Sequence, residues 1–190
     1  MVDYREDADF IGRQRKRKRL TPEEIRERKE ARAAARSEED WRSYARDLCY
    51  RQLGMMERSV AQLRQSLNRN LVPGNIAEET LTDFIDAGLV SDERYAGMYV
   101  RNAMSQKAKS RRAIRAELQR KGIEADIAEQ ALAQITEEDE TSAAIDFACR
   151  RAGSMSGLER QVAYRRLYGA LARRGFSPEQ ISRAISEALD

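Results

Sequence analysis

The sequence predicts an all-α protein of three tandem three-helix repeats, helix-turn-helix-like in plan, behind a polar N-terminal arm. Three observations carry this. From Ser43 onward apolar residues recur every three or four positions, with almost no strand-like alternation. Breaks at Leu71 to Asn75, Gly88, Gly122, Gly153 to Gly157 and Gly175 cut that stretch into short helices. The chain also repeats itself: a shift of 51 positions lays NIAEETL (75–81) on DIAEQAL (126–132), Leu63 and Leu67 on Ile114 and Leu118, and Tyr44-Ala45 on Tyr95-Ala96. A shift of 53 then lays LQRKGI (118–123) on LARRGF (171–176) and Ile114 on Leu167, with Phe147-Ala148 the third aromatic-alanine pair after a slip of one.

The arm, residues 1–42, begins acidic (Asp3, Glu6, Asp7, Asp9) and turns basic at RQRKRKR, 13–19. Thr21-Pro22-Glu23-Glu24 is a helix start, with an N-cap, a proline at the first helical position and a glutamate three residues after the cap. From Pro22 to about Glu39 good helix formers prevail, but only Ile25 and a few alanines can pack, so a solvated helix or a disordered extension is expected.

The repeats are expected at 43–88, 89–135 and 136–190. Each has a helix bearing the aromatic-alanine pair, a helix with two apolar residues four apart, and a closing helix starting near Val72, Glu124 or Ser177. Pro73 and Pro178 stand three residues before Ile76 and Ile181, which suits the first turn of a closing helix. A period near 50 residues gives each unit a small core of its own that leans on its neighbours, and so an elongated, modular body.

Composition excludes much chemistry. The chain has no histidine, which removes Ser-His-Asp and Cys-His catalysis and His-ligated zinc. Cys49 and Cys149 lie 100 positions apart without a CxxC, so each is expected to pack as a small apolar residue in a reducing compartment. No GxxxxGK[ST] loop occurs, so neither catalysis nor a cofactor is expected. No run approaches the roughly 18 apolar residues of a membrane span, and the expectation is a cytoplasmic monomer without a membrane partner. Met55, Met56, Met98 and Met104 are expected to fill core gaps, and the Tyr95–Tyr99 pair to be core before it is a base-stacking platform.

The net charge of +3 hides segregation. Arg101, Lys107, Lys109, Arg111, Arg112, Arg115, Arg120 and Lys121 face one acid, Glu117, between 101 and 121. From Arg150 to Arg174 seven arginines, including Arg165, Arg166, Arg173 and Arg174, face Glu159 alone, while acids gather at Glu78 to Glu93 and Glu137 to Glu140. At 100° per residue Arg112, Arg115 and Arg120 point away from Ile114 and Leu118, toward solvent or a partner. One arginine recurs two places after the second apolar residue, as Arg69, Arg120 and Arg173; helix termination accounts for it as well as a ligand does. The larger cluster exceeds what capping needs, and like charges such as Arg111 and Arg115 ask for an anion. The candidate partner-binding residues are therefore Arg101, Lys109, Arg111, Arg112, Arg115, Arg120, Lys121, Arg165, Arg166, Arg173 and Arg174.

GLVSDERYA (88–96), YVR (99–101) and AIRAELQRKGI (113–123) resemble the middle repeat of the RecX family, Gly-Leu-x-[Asp/Asn/Ser]-Asp-x-x-[Phe/Tyr]-Ala, an arginine, then Ile-x-x-Glu-Leu-x-x-Lys-Gly-Ile. Gly88, Leu89, Asp92, Tyr95, Ala96, Arg101, Ile114, Glu117, Leu118, Lys121, Gly122 and Ile123 carry the resemblance, which covers about 43–190. The sequence departs from it at RNLVPGN (69–75), where a basic-glycine turn is usual, and near Lys109-Ser110, where glycine is frequent. The resemblance implies a curved molecule that lodges in the groove of the RecA recombinase filament on single-stranded DNA. There it would suppress ATP hydrolysis and strand exchange, so regulating recombination and repair. DNA would be met through the filament, with at most weak direct binding. The rivals are a helix-turn-helix protein acting on duplex DNA without RecA, and a scaffold that binds protein only.

Overall fold

The computed structural model describes residues 21–189; the acidic start and RQRKRKR (13–19) lie outside the described residues. Among the described residues the regular structure is ten helices: α1 (Pro22–Ala34), α2 (Glu38–Met55), α3 (Val60–Arg69), α4 (Gly74–Asp86), α5 (Asp92–Ser105), α6 (Arg111–Arg120), α7 (Ala125–Leu132), α8 (Glu137–Gly153), α9 (Arg160–Ala172) and α10 (Pro178–Leu189). The chain divides into two units at Arg36/Ser37. In the first, Thr21 and Glu24 close a reciprocal capping box and no residue of α1 is buried, so the solvated helix is what forms.

In the second unit α2 starts at Glu38, a turn before the expected Ser43, because Ser37 and Asp40 build another capping box there. The closing helix α4 starts at Gly74, later than Val72, because Val72 belongs to the turn that ends α3: its N–H donates to the Leu67 carbonyl at 3.2 Å and its side chain is buried. Acids open α2, α5 and α8 (Glu38–Asp40, Asp92–Glu93, Glu137–Glu140), where the positive end of the helix dipole favours them.

The core follows the repeat. Leu63 and Leu67, Ile114 and Leu118, and Leu167 and Leu171 are each 0–1% exposed, and the closing helices seal them with Leu81, Leu132 and Ile185. The cores of α5–α7 and α8–α10 are separate clusters, with Tyr95 and Ala96 in one and Ala148 in the other. Met98 and Met104 pack against the first of these, as expected. Met55 and Met56 do not: at the frayed end of α2 they are 76% and 56% exposed. Cys49 is buried, but Cys149 is exposed, because it follows the buried Ala148 onto the outer side of α8.

The three second helices end alike. Ile123 N–H reaches back to Leu118 O at 3.1 Å and Phe176 N–H to Leu171 O at 3.4 Å, with Gly122 (φ 79°) and Gly175 (φ 89°) between in the left-handed region. At the end of α3 the same turn forms with Leu71 in the glycine position, at φ 61°. Ala108, beside Lys109-Ser110, likewise takes φ 43° where a glycine would be at ease.

Candidate partner-binding surface

The second helices also carry the joints between repeats. At the start of α3, Ser59 Oγ donates to Lys121 O at 2.7 Å, and Val60 N–H donates to Asp92 Oδ1 at 2.9 Å. At the start of α6, Ser110 N–H donates to Arg174 O at 3.0 Å, and Arg111 N–H donates to Glu140 Oε1 at 3.2 Å. So the glycine turn of one repeat sits on the first turn of the preceding second helix, and an acid from the next first helix caps an orphan amide there. Burial raises the Asp92 carboxyl above its ordinary value, opposed by the Val60 amide. Asp92, part of the family-like motif, thus serves architecture. A β-carbon on Gly122 would overlap the Ala61 Cβ, and one on Gly175 would lie 2.9 Å from the Ala113 Cβ.

A groove of ≈ 580 Å³ follows the second joint, lined by Arg111, Arg112, Arg115, Glu140, Ser177 and Gln180. The corresponding groove at the first joint, ≈ 470 Å³, has Val60, Ala61 and Arg64 at the equivalent helix positions, and Asp92, Glu93 and Glu124 opposite. The two joints share geometry and differ in charge.

Within this frame the candidate cations separate into two kinds. Arg115 is spent on Glu129 in a bidentate pair that repeats Arg64–Glu78 one repeat earlier, with Arg115 Nη2 2.8 Å from Glu129 and Arg64 Nη2 2.8 Å from Glu78. Its charge is not free, contrary to the expectation from the helical wheel. The Glu129 carboxyl is held below its ordinary value by that guanidinium. Lys109 and Tyr99 both bond Glu117, and Arg120 lies 3.7 Å from the same carboxylate. Burial alone would raise the pKa of Glu117, but Lys109, Tyr99 and Arg120 together lower it. Lys121 sits 5.2 Å above the Tyr99 ring. Arg174 stacks 3.8 Å from the Phe147 ring and donates to the carbonyls of Lys107 and Ala170, each at 3.2 Å. Burial, then Arg151 and Arg173, lower its pKa. Arg174 is an internal strut, and Arg111, half-buried, holds the joint through its backbone.

The second kind stays outward. Arg101, Arg112, Arg165, Arg166 and Arg173 are exposed and make no ion pair among the described residues. Arg101 lies over Gly97, and Arg173 over Gly169, each 3.4 Å from where a β-carbon would stand. Arg69 and Arg120 are the last residues of α3 and α6, and Arg173 follows α9, so the recurrent arginine does stand at each helix terminus.

Tyr95 and Tyr99 stack at 6.1 Å, with Tyr95 buried in the core and Tyr99, half-buried, packed against it. A second pair of the same spacing, Tyr164 and Tyr168 on α9, is exposed, and the sequence reading passed over it. Its signal was there: at the 53 shift these tyrosines replace Arg111 and Arg115.

Capped three-helix units joined through left-handed turns define a tandem helical-repeat protein. Residues 91–132 match the family model described as RecX, second three-helix domain, and residues 137–185 match RecX, third three-helix domain. The chain is 35% identical over 146 residues to Regulatory protein RecX of Streptomyces coelicolor, covering 77% of this chain and 78% of the relative. It is 35% identical over 181 residues to Regulatory protein RecX of Corynebacterium efficiens, covering 90% and 86%. The crystal structure of RecX from Lactobacillus salivarius matches with a TM-score of 0.66 at 26% identity, over 78% of this chain and 97% of that one. The chain belongs to the RecX family of regulatory proteins. No helix among the described residues is long and apolar enough to cross a membrane.

Proposed function

We propose that this protein regulates recombination by docking on the RecA filament formed on single-stranded DNA and inhibiting its ATPase and strand exchange. The observation that carries the reading is the division of cations. Asp92 and Glu140 go to the joints and Glu117 and Glu129 to internal pairs, and a set of outward arginines, Arg101, Arg112, Arg165, Arg166 and Arg173, makes no ion pair among the described residues. A surface of protein acids and DNA phosphates would supply the missing anions.

The test is RecA ATPase activity on single-stranded DNA with substoichiometric amounts of this protein. Inhibition is expected, and it should weaken when Arg112, Arg165 and Arg166 are reversed to glutamate together with helicity retained. An undiminished ATPase rate would sink the reading, and a discrete duplex footprint in the absence of RecA would replace it with duplex binding.

A further inference from the structure

α9 departs from its two counterparts. The seat that Ser59 and Ser110 provide at the start of α3 and α6 falls on Ala163, and the helix runs through it, starting three residues earlier at Arg160. Positions that carry the joint-lining Arg111 and Arg115 in α6 carry Tyr164 and Tyr168 here, and the glutamate that would neutralise the second of them is replaced by Ser182. The two rings are 6.3 Å apart and tilted by 23°, and they remain 43% and 41% exposed. They contrast with the Tyr95–Tyr99 pair, whose geometry is nearly the same but whose rings are buried and half-buried against the core of α5–α7.

α9 holds no acid from Arg160 to Ala172. At 100° per residue Arg165 projects about 80° around the helix from the middle of the tyrosine pair, whereas Arg166 and Arg173 project from the opposite side; Arg165 is exposed without an ion pair among the described residues. Exposed, near-parallel aromatic rings with a cation beside them and no acid on their own helix suit a chain of flat apolar groups on an anionic backbone. Duplex DNA keeps its bases stacked on one another and offers no free faces, whereas unpaired bases do.

We propose that this face of α9 binds single-stranded nucleic acid directly, stacking unpaired bases on Tyr164 and Tyr168 while Arg165 meets the phosphates. The binding needs no recombinase, so it stands or falls apart from the function proposed above.

The experiment is fluorescence anisotropy of the full chain, alone, with a labelled oligothymidylate and with a base-free oligomer of the same length and charge. The oligothymidylate binds, and the base-free oligomer binds about tenfold more weakly or worse, since each stacked base contributes about 1–3 kcal/mol. Tyr164→Ala with Tyr168→Ala produces a similar loss at unchanged helicity, while phenylalanine at both positions retains affinity within about twofold. Equal affinity for the two oligomers, no binding by the wild type, tighter binding of a duplex, or equal binding of polyglutamate would each overturn the proposal. The comparison of oligomers uses the unaltered protein, so it decides the matter even where the alanine variant misfolds.

Discussion

Ser59 donates its hydroxyl to the Lys121 carbonyl at 2.7 Å, so the residue that caps α3 also seats the turn that ends α6. The seat leaves no room for a β-carbon on Gly122, whose φ of 79° already disfavours one. Gly122→Ala is expected to cost about 2–4 kcal/mol, combining left-handed strain with overlap against Ala61. Gly175→Ala should cost a similar amount for the same reasons at Ser110 and Ala113. Gly54→Ala is the control, because it is helical with open space around it, and should gain about 0.5–1 kcal/mol. Urea unfolding monitored by circular dichroism measures all three.

Leu71 holds the position of Gly122 and Gly175 at φ 61° and is 43% exposed. Leu71→Gly should stabilise the chain by about 0.5–1 kcal/mol, the relief of strain being reduced by the freedom glycine adds to the unfolded state. A loss of stability would mean that the leucine side chain packs to greater effect than its exposure suggests.

Glu117 is pulled below its ordinary value of 4.5 by Lys109, Tyr99 and Arg120 against the opposing effect of burial. A carboxyl whose folded pKa is depressed contributes stability that is complete above its unfolded pKa and lost as pH falls through the folded one. Unfolding midpoints should therefore drop as pH falls below about 4.5, and Glu117→Gln should flatten that drop while lowering stability at neutral pH. A variant with the wild-type acid limb would show that the cluster does not set it.

The two thiols should react very differently. Burial pushes the Cys49 thiol up to about 11, whereas Cys149 is exposed on α8. A disulfide reagent at neutral pH should titrate one thiol quickly and the second only on unfolding, and Cys149→Ser should abolish the fast phase.

Arg112 and Arg115, three residues apart on α6, should answer to different assays. Arg115→Ala breaks the pair with Glu129, which is partly exposed, so a loss of about 0.2–1 kcal/mol is expected. Arg112→Ala should leave stability within about 0.5 kcal/mol, and Arg112→Glu should weaken RecA inhibition. The reverse assignment would place the docking surface elsewhere on the repeat.

Periodicity made the repeat and its core legible, because Leu63, Ile114 and Leu167 must all be buried for three short helices to hold together. The left-handed turn at Leu71 was hidden, since leucine carries no signal for positive φ and only the bond from Val72 to Leu67 forces it. The arginines looked alike on a helical wheel, yet Arg115 pairs with Glu129, 14 residues on, while Arg112, with Asp126 at the same spacing, makes no ion pair among the described residues. That spacing recurs as Arg64–Glu78 and could have been read from the same shift that aligned the leucines. The engagement of Arg174 with Phe147 and Lys107 depends on contacts between sequence-distant helices, which no local pattern encodes. Cys149 and Met55 show the limit of composition: apolar type did not place them inside.

The turn that ends α3 has a further consequence for how the array ends. A joint that seats the tail of one module on the head of another is open-ended by nature, and left unchecked it polymerises. Here the outer modules differ from the inner joints: Leu71 carries a side chain where Gly122 and Gly175 have no room for one, and α9 runs as helix through Ala163, where the seat would be. The first and last modules thus depart from the pattern that joins the inner ones, one at its closing turn and the other at its seat.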